Sequence, residues 1–191
     1  MLNNLRDSLK PLLQSIGRIF ASTGISPNSW TAVGLIFAFI SSLVYGIGFE
    51  FSLVIGGIVL LISGFFDIVD GQVARYTNKT TKSGGFLDSV FDKIAEVAIF
   101  FGILIGGHAE PYLVFIAITL SLLVSYTRAK ADALQIKLQG VGIGERAERL
   151  LVIAIIGMIG FMEIAVVIVI IIALITLIQR IITISKNTKK V

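Results

Sequence analysis

Four aspartates, Asp67, Asp70, Asp88 and Asp92, bound the stretch DIVDGQVARYTNKTTKSGGFLDSVFD. Asp67 and Asp70 are three residues apart and Asp88 and Asp92 four apart, so on helices each pair shares one face. The segment between them, YTNKTTKSG, is short enough to make the two helices antiparallel neighbours and bring all four acids together. Carboxylates at such quarters repel unless cations sit among them. Hard divalent cations such as Mg²⁺, Mn²⁺ or Ca²⁺ take oxygen ligands, and Mg²⁺ sites are typically completed by substrate phosphates. Gly71 and Ala74 lie one helical turn apart beside the acids and leave room for a bulky ligand, while Arg75 offers a fork of donors suited to phosphate. The pattern points to a metal-bound diphosphate.

The elements that position these residues are apolar. Of the 191 residues, 55% are hydrophobic and 15% charged; soluble domains carry about 25% charged residues. The composition describes an integral membrane protein. With no cysteine and one histidine, neither a disulfide nor a thiolate or multi-histidine metal site is available, which leaves oxygen as the metal donor. Apolar runs predict six transmembrane helices, about 29–49, 52–72, 86–106, 111–133, 146–162 and 164–184, within one domain covering 1–191. Residues 1–25 read differently. Leu5, Leu9, Leu12, Leu13, Ile16 and Phe20 recur at helical spacing, with Arg6, Asp7, Lys10, Gln14 and Arg18 between them, which predicts an amphipathic interfacial helix that Pro11 kinks. Ser26 is expected to cap the first span, with Pro27 at its first position.

Charge orients the chain. All 16 Lys and Arg fall in the N-terminal segment, the 75–93 and 128–149 regions or the stretch from Arg180 onward, which share one side if there are six spans. The opposite connections hold Glu50, His108, Glu110 and Glu163. By the positive-inside rule both termini and the aspartates face the cytoplasm of a multi-pass cell-membrane protein. A divalent-cation transporter is the rival reading, yet it would place acids near mid-membrane and show related halves, and Arg75 is awkward beside a cation path.

The run D-I-V-D-G-Q-V-A-R, eight residues, then G-G-F-L-D-S-V-F-D resembles the signature D-x₂-D-G-x₂-A-R-x₈-G-x₃-D-x₃-D of the CDP-alcohol phosphotransferases, with every fixed position present: Asp67, Asp70, Gly71, Ala74, Arg75, Gly84, Asp88 and Asp92. The predicted spans, the N-terminal helix and PNSWT before the first span extend the likeness over nearly the whole chain. The resemblance implies that Asp67, Asp70 and Asp88 bind two Mg²⁺ or Mn²⁺ ions, with Asp92 as general base and further ligand. It implies that Gly71, Ala74 and Gly84 accommodate the cytidine nucleotide of a CDP-linked lipid, that Arg75 holds its diphosphate, and that Asn28 and Thr31 lie near the nucleotide. It also implies a homodimer among membrane lipids, with no nucleic acid as partner. With no cysteine and no Ser–His pairing in view, direct displacement of CMP by an acceptor hydroxyl is favoured over a covalent intermediate.

The acceptor is read from the remaining cations. Arg128 and Lys130 end the fourth span, Arg146 and Arg149 begin the fifth on one face, and Arg180 ends the sixth. Several cations suit an acceptor that carries its own phosphate, whereas the bland reading makes them positive-inside anchors. SYTRAKAD is similar to the S-Y-x-R-A-R-A-E run of the prokaryotic phosphatidylinositol-phosphate synthase branch, with Lys130 and Asp132 replacing arginine and glutamate. Inositol 1-phosphate is therefore the expected acceptor, glycerol 3-phosphate the alternative, and the lipid tail, diacylglycerol or archaeol, is left open. Elsewhere, Trp30 is expected to be an interfacial anchor and His108 a solvated loop residue, Lys79 and Lys82 solvated charges, and Lys93 and Glu96 either tune Asp92 or pair with each other.

Overall fold

The computed structural model describes residues 2–138 and 140–188, with side chains from residue 11 onward. The expected faces at Leu5, Arg6, Asp7, Leu9 and Lys10, and the terminal cations Lys189 and Lys190, lie outside the described side chains. Among the described residues the fold is all helical: α1 (Leu2–Ala21), α2 (Pro27–Ile47), α3 (Ser52–Tyr76), α4 (Lys82–Ile105), α5 (Pro111–Ala133), α6 (Arg146–Met158) and α7 (Met162–Thr188). The helix α1 continues through Pro11.

Four helices, α2, α3, α5 and α7, are long and apolar enough on their own to cross a membrane. The other two of the six expected spans differ for physical reasons. The helix α4 carries five charged residues, Lys82, Asp88, Asp92, Lys93 and Glu96. The 13 residues of α6 reach only about 20 Å at the helical rise, short of a hydrocarbon core of about 30 Å.

Local chemistry sets the helix ends that matter for the site. Ser26 caps α2, its hydroxyl accepting from the Ser29 amide at 3.2 Å, and Pro27 takes the first helical position. Thr81 caps α4 in the same way, accepting from the Gly84 amide at 2.9 Å. Between α3 and α4 the chain turns through Asn78 at φ 54°.

The helices α2, α3 and α4 form the tightest layer, and α6 packs on α3 and α7. Small residues allow this approach. Ser63 donates to the Gly34 carbonyl at 2.8 Å and Ser41 to the Gly56 carbonyl at 2.7 Å, so two buried hydroxyls stitch α2 to α3. Ser42 donates to the Ala98 carbonyl, and Gly102 of α4 lies against the Ser42 backbone so closely that a Cβ there would clash. Apolar side chains of α2 to α7, among them Tyr45, Leu60, Ile99, Phe100, Ile103, Ile153 and Val169, fill the core around these contacts.

Candidate active site

The four aspartates converge where α3 ends and α4 begins. One oxygen from each of Asp67, Asp88 and Asp92 lies within 4.8 Å of the other two, close enough to share a metal ion. Asp70 stands beside this trio and is 6% exposed, with its Oδ2 buried and without a hydrogen-bond partner among the described residues. A buried, unpartnered carboxylate oxygen is costly without a partner, and hard oxygen donors in this number fit Mg²⁺ or Mn²⁺.

A cleft of about 190 Å³ opens next to Asp70 and Asp88. Its wall contains each residue that the sequence placed near the nucleotide: Asn28 and Thr31 from α2, Gly71, Ala74 and Arg75 from α3, and Gly84 from α4. One of these glycines, Gly84, has a steric reason to be glycine, while Gly71 meets only the movable end of a side chain. A Cβ on Gly84 would lie 3.0 Å from Thr81 Oγ1 and 3.1 Å from Asn28 Oδ1, and one on Gly71 would lie 3.3 Å from an Arg75 guanidinium nitrogen. Lys79, Thr80, Thr81 and Gly85 also line the cleft. Local spacing does not mark Thr80, Thr81 or Gly85, and Lys79, expected as a solvated charge that could steer an anion, belongs to this wall, because a turn's contribution depends on how the two helices splay.

Asp92 faces away from the cleft. It shares a small second cavity with Asp67, Thr31, Ser63 and Arg146. Arg146, the first residue of α6, bridges the two acids: its Nη1 lies 3.0 and 3.1 Å from the Asp67 oxygens and 2.6 Å from Asp92 Oδ1.

The five expected acceptor cations do not form one cluster. Arg146 sits among the aspartates. Arg149 is 1% exposed, its Nε and Nη2 donating to Glu96 at 2.8 and 2.9 Å and its Nη1 to the Gly144 carbonyl at 2.7 Å. Arg180, also buried, donates to the Val124 carbonyl at 2.8 Å and the Val141 carbonyl at 3.2 Å, with Arg128 and Glu145 in its electrostatic neighbourhood. Arg128 and Lys130 are exposed at the end of α5. Two further expectations are corrected, the pairing of Lys93 with Glu96 and the solvated His108. Glu96 pairs with Arg149 rather than Lys93, which lies 3.8 Å from Asp92, because α6 brings a bidentate partner that a neighbour one turn away cannot match. His108 is half-buried and its Nε2 meets the Tyr45 carbonyl at 2.9 Å, since the turn after α4 folds back on α2. Trp30 stacks on Phe66 at 5.6 Å and meets Phe20 edge-on at 5.0 Å, tying α1 to α2 and α3.

Residues 25–183 match the family described as CDP-alcohol phosphatidyltransferase. The chain is 37% identical over 156 residues to the archaetidylinositol phosphate synthase of Pyrococcus horikoshii, covering 80% of each. Its fold matches the phosphatidylinositol phosphate synthase of Mycobacterium tuberculosis with CDP-DAG bound, at a TM-score of 0.79 and 24% identity over 91% of this chain and 94% of that one. The same Mycobacterium enzyme in complex with manganese and citrate matches at a TM-score of 0.78 and 25% identity, over 90% of this chain and 88% of that one.

Proposed function

Since the chain belongs to the CDP-alcohol phosphatidyltransferase family, and is thus a transferase of phospholipid biosynthesis, we propose that it moves the phosphate-bearing lipid of a CDP-linked lipid onto a hydroxyl of inositol 1-phosphate, releasing CMP. One observation carries the reading: Asp88 belongs both to the three-acid cluster and to the wall of the cleft that Gly71, Ala74, Arg75 and Gly84 line, so a diphosphate in the cleft meets the acids directly. The family is metal-dependent, and in this chain Asp67, Asp70, Asp88 and Asp92 would hold Mg²⁺ or Mn²⁺, as two ions. When bound, such ions polarise the diphosphate and neutralise the departing CMP.

The residues divide the remaining work. Arg75 grips the diphosphate, and Gly71, Ala74, Gly84, Asn28 and Thr31 seat the nucleotide. Asp92, on the side of the cluster away from the cleft, takes the proton from the acceptor hydroxyl. The freed oxygen bonds to the lipid-bearing phosphorus, the bond from that phosphorus to the CMP oxygen breaks, and CMP leaves. Arg128, Lys130, Arg146 and Arg180 draw in the acceptor's own phosphate, while Arg149, committed to Glu96, supports them from behind. The name of the Pyrococcus relative favours inositol phosphate as acceptor.

The reading extends to the setting. In this reading the chain forms one domain, 1–191, making six passes in which the 13-residue α6 covers only part of the core, with both termini and the aspartates on the cytoplasmic face where the cations concentrate. The enzyme works as a homodimer, on a diacylglycerol or archaeol tail. The test is CMP release by purified protein with Mg²⁺ and a CDP-linked lipid, offered inositol 1-phosphate, glycerol 3-phosphate or free inositol. Release with inositol 1-phosphate alone supports the proposal; release with glycerol 3-phosphate in its place overturns the acceptor.

A further inference from the structure

Glu96 and Arg149 are almost fully enclosed, each 1% exposed, and joined by two parallel hydrogen bonds at 2.8 and 2.9 Å. Glu96 lies one turn beyond Asp92 on α4, and Arg149 one turn beyond Arg146 on α6, so the two ion pairs form adjacent rungs between the same helices. The same guanidinium also donates to the Gly144 carbonyl at 2.7 Å, and the Gly144 amide donates to Thr176 of α7 at 2.9 Å. Glu145 and Glu148 then close a capping box around the start of α6. Thus the turn from which Arg146 projects is held from α4 on one side and from α7 on the other.

A buried ion pair is weak evidence of stability, because desolvating two charges offsets most of their attraction. A role in orientation accounts better for its place. We infer that Glu96 and Arg149 are positioning residues, whose buried pair fixes the first turn of α6 so that Arg146 is held between Asp67 and Asp92. The inference rests on the transferase reading above. Without the pair, Arg146 keeps its charge but loses its aim.

The experiment compares E96M/R149M, R146Q and the triple variant in detergent, by melting temperature, CMP release and Mn²⁺ titration. Methionines of similar volume let E96M/R149M fold, at a cost confined to the hydrogen bond that the Gly144 carbonyl loses, since apolar replacement of a buried pair is often neutral or stabilising. Turnover falls on the order of tenfold to a hundredfold, the scale of a misplaced active-site group. In the triple variant the loss equals that of R146Q alone, because both changes remove one contribution. Wild-type turnover in E96M/R149M, or losses that multiply in the triple variant, would overturn the inference. Should E96M/R149M not fold, R149K keeps the charge without the bidentate fork and is expected to show the same dependence on Arg146. If wild-type protein releases no CMP with any acceptor, the functional reading fails instead; Mn²⁺ affinity then decides the positioning role, which stands if E96M/R149M shifts it as R146Q does and falls if it is unchanged.

Discussion

Asp92 Oδ1 and Arg146 Nη1 lie 2.6 Å apart, across a separation in sequence that no local pattern bridges. The pair defines the side of the aspartate cluster that faces away from the cleft, and it divides the four acids by position. Asp70 and Asp88 look into the cleft, and Asp92 looks toward α6.

That division predicts separate defects. Asp92→Asn removes the proposed base without touching the cleft, so CMP release should fall on the order of a hundredfold to ten-thousandfold, the usual contribution of a positioned proton acceptor. CDP-lipid binding stays near wild type. Asp70→Asn, in contrast, weakens Mn²⁺ and CDP-lipid binding together. Calorimetric titration of both ligands beside single-turnover CMP release distinguishes the two variants, and equal, intact turnover in both would remove the aspartates from the chemistry.

Gly84 predicts a steric defect. An alanine there places its Cβ 3.0 Å from Thr81 Oγ1 and 3.1 Å from Asn28 Oδ1, which narrows the cleft and disturbs the cap of α4. Overpacking of this kind costs about 1–3 kcal/mol, felt here as weaker ground-state binding. The expected result is a KM for CDP-lipid raised about tenfold, as 1.4 kcal/mol corresponds to that factor, with the acceptor KM unchanged. Steady-state kinetics with each substrate varied in turn checks it.

Much of this site is legible from local spacing, and the reasons are physical. Asp67 and Asp70, like Asp88 and Asp92, share faces because helical periodicity is a local rule, whereas the two faces meet because α3 and α4 both pack on α2 rather than on each other. Ser26 and Pro27 announce the start of α2 by cap chemistry alone. The cations behave otherwise. Whether Arg149 points to solvent, to a ligand or to Glu96 depends on where α6 sits against α4, and that follows from the packing of α6 on α3 and α7. Span counting meets the same limit, since α4 carries the site's charges and α6 is short.

Gly102 carries a prediction about stability. Its Cα passes so close to the Ser42 backbone that alanine cannot be accommodated without parting α2 from α4, and with them the Ser42 to Ala98 hydrogen bond. Gly102→Ala should destabilise the protein by about 1–3 kcal/mol or more, the cost of forcing a methyl into a packed interface. A thermal melt in detergent reads this, and an unchanged melting temperature would show that the two helices can separate at little cost.

Metal dependence has a structural readout that does not need turnover. A ligand that binds only the folded state stabilises it by about 2.7 kcal/mol at a hundredfold excess over its Kd. Mg²⁺ or Mn²⁺ should therefore raise the melting temperature of the wild type, and a chelator should reverse the rise while abolishing CMP release. Asp67→Asn loses the shift, because Asp67 contributes one of the three oxygens within 4.8 Å. A shift of full size in Asp67→Asn would move the ion away from this cluster.

The cations proposed to meet the acceptor predict a graded series set by their exposure. Arg128 and Lys130 are exposed, so Arg128→Gln and Lys130→Gln should fold as wild type does and raise the KM for inositol 1-phosphate. A lost charge-assisted hydrogen bond of about 1.5–3 kcal/mol corresponds to roughly tenfold or more in that constant. Arg180 differs because it also ties α7 to the Val124 and Val141 carbonyls. Arg180→Gln should thus lower the melting temperature as well as raise the acceptor KM, leaving those two carbonyls without their buried donor. In all three variants the KM for CDP-lipid holds, since none of these side chains lines the cleft. A parallel rise in both KM values would instead mark these cations as general attractors of anions at the membrane surface, and the phosphate of the acceptor would need another partner.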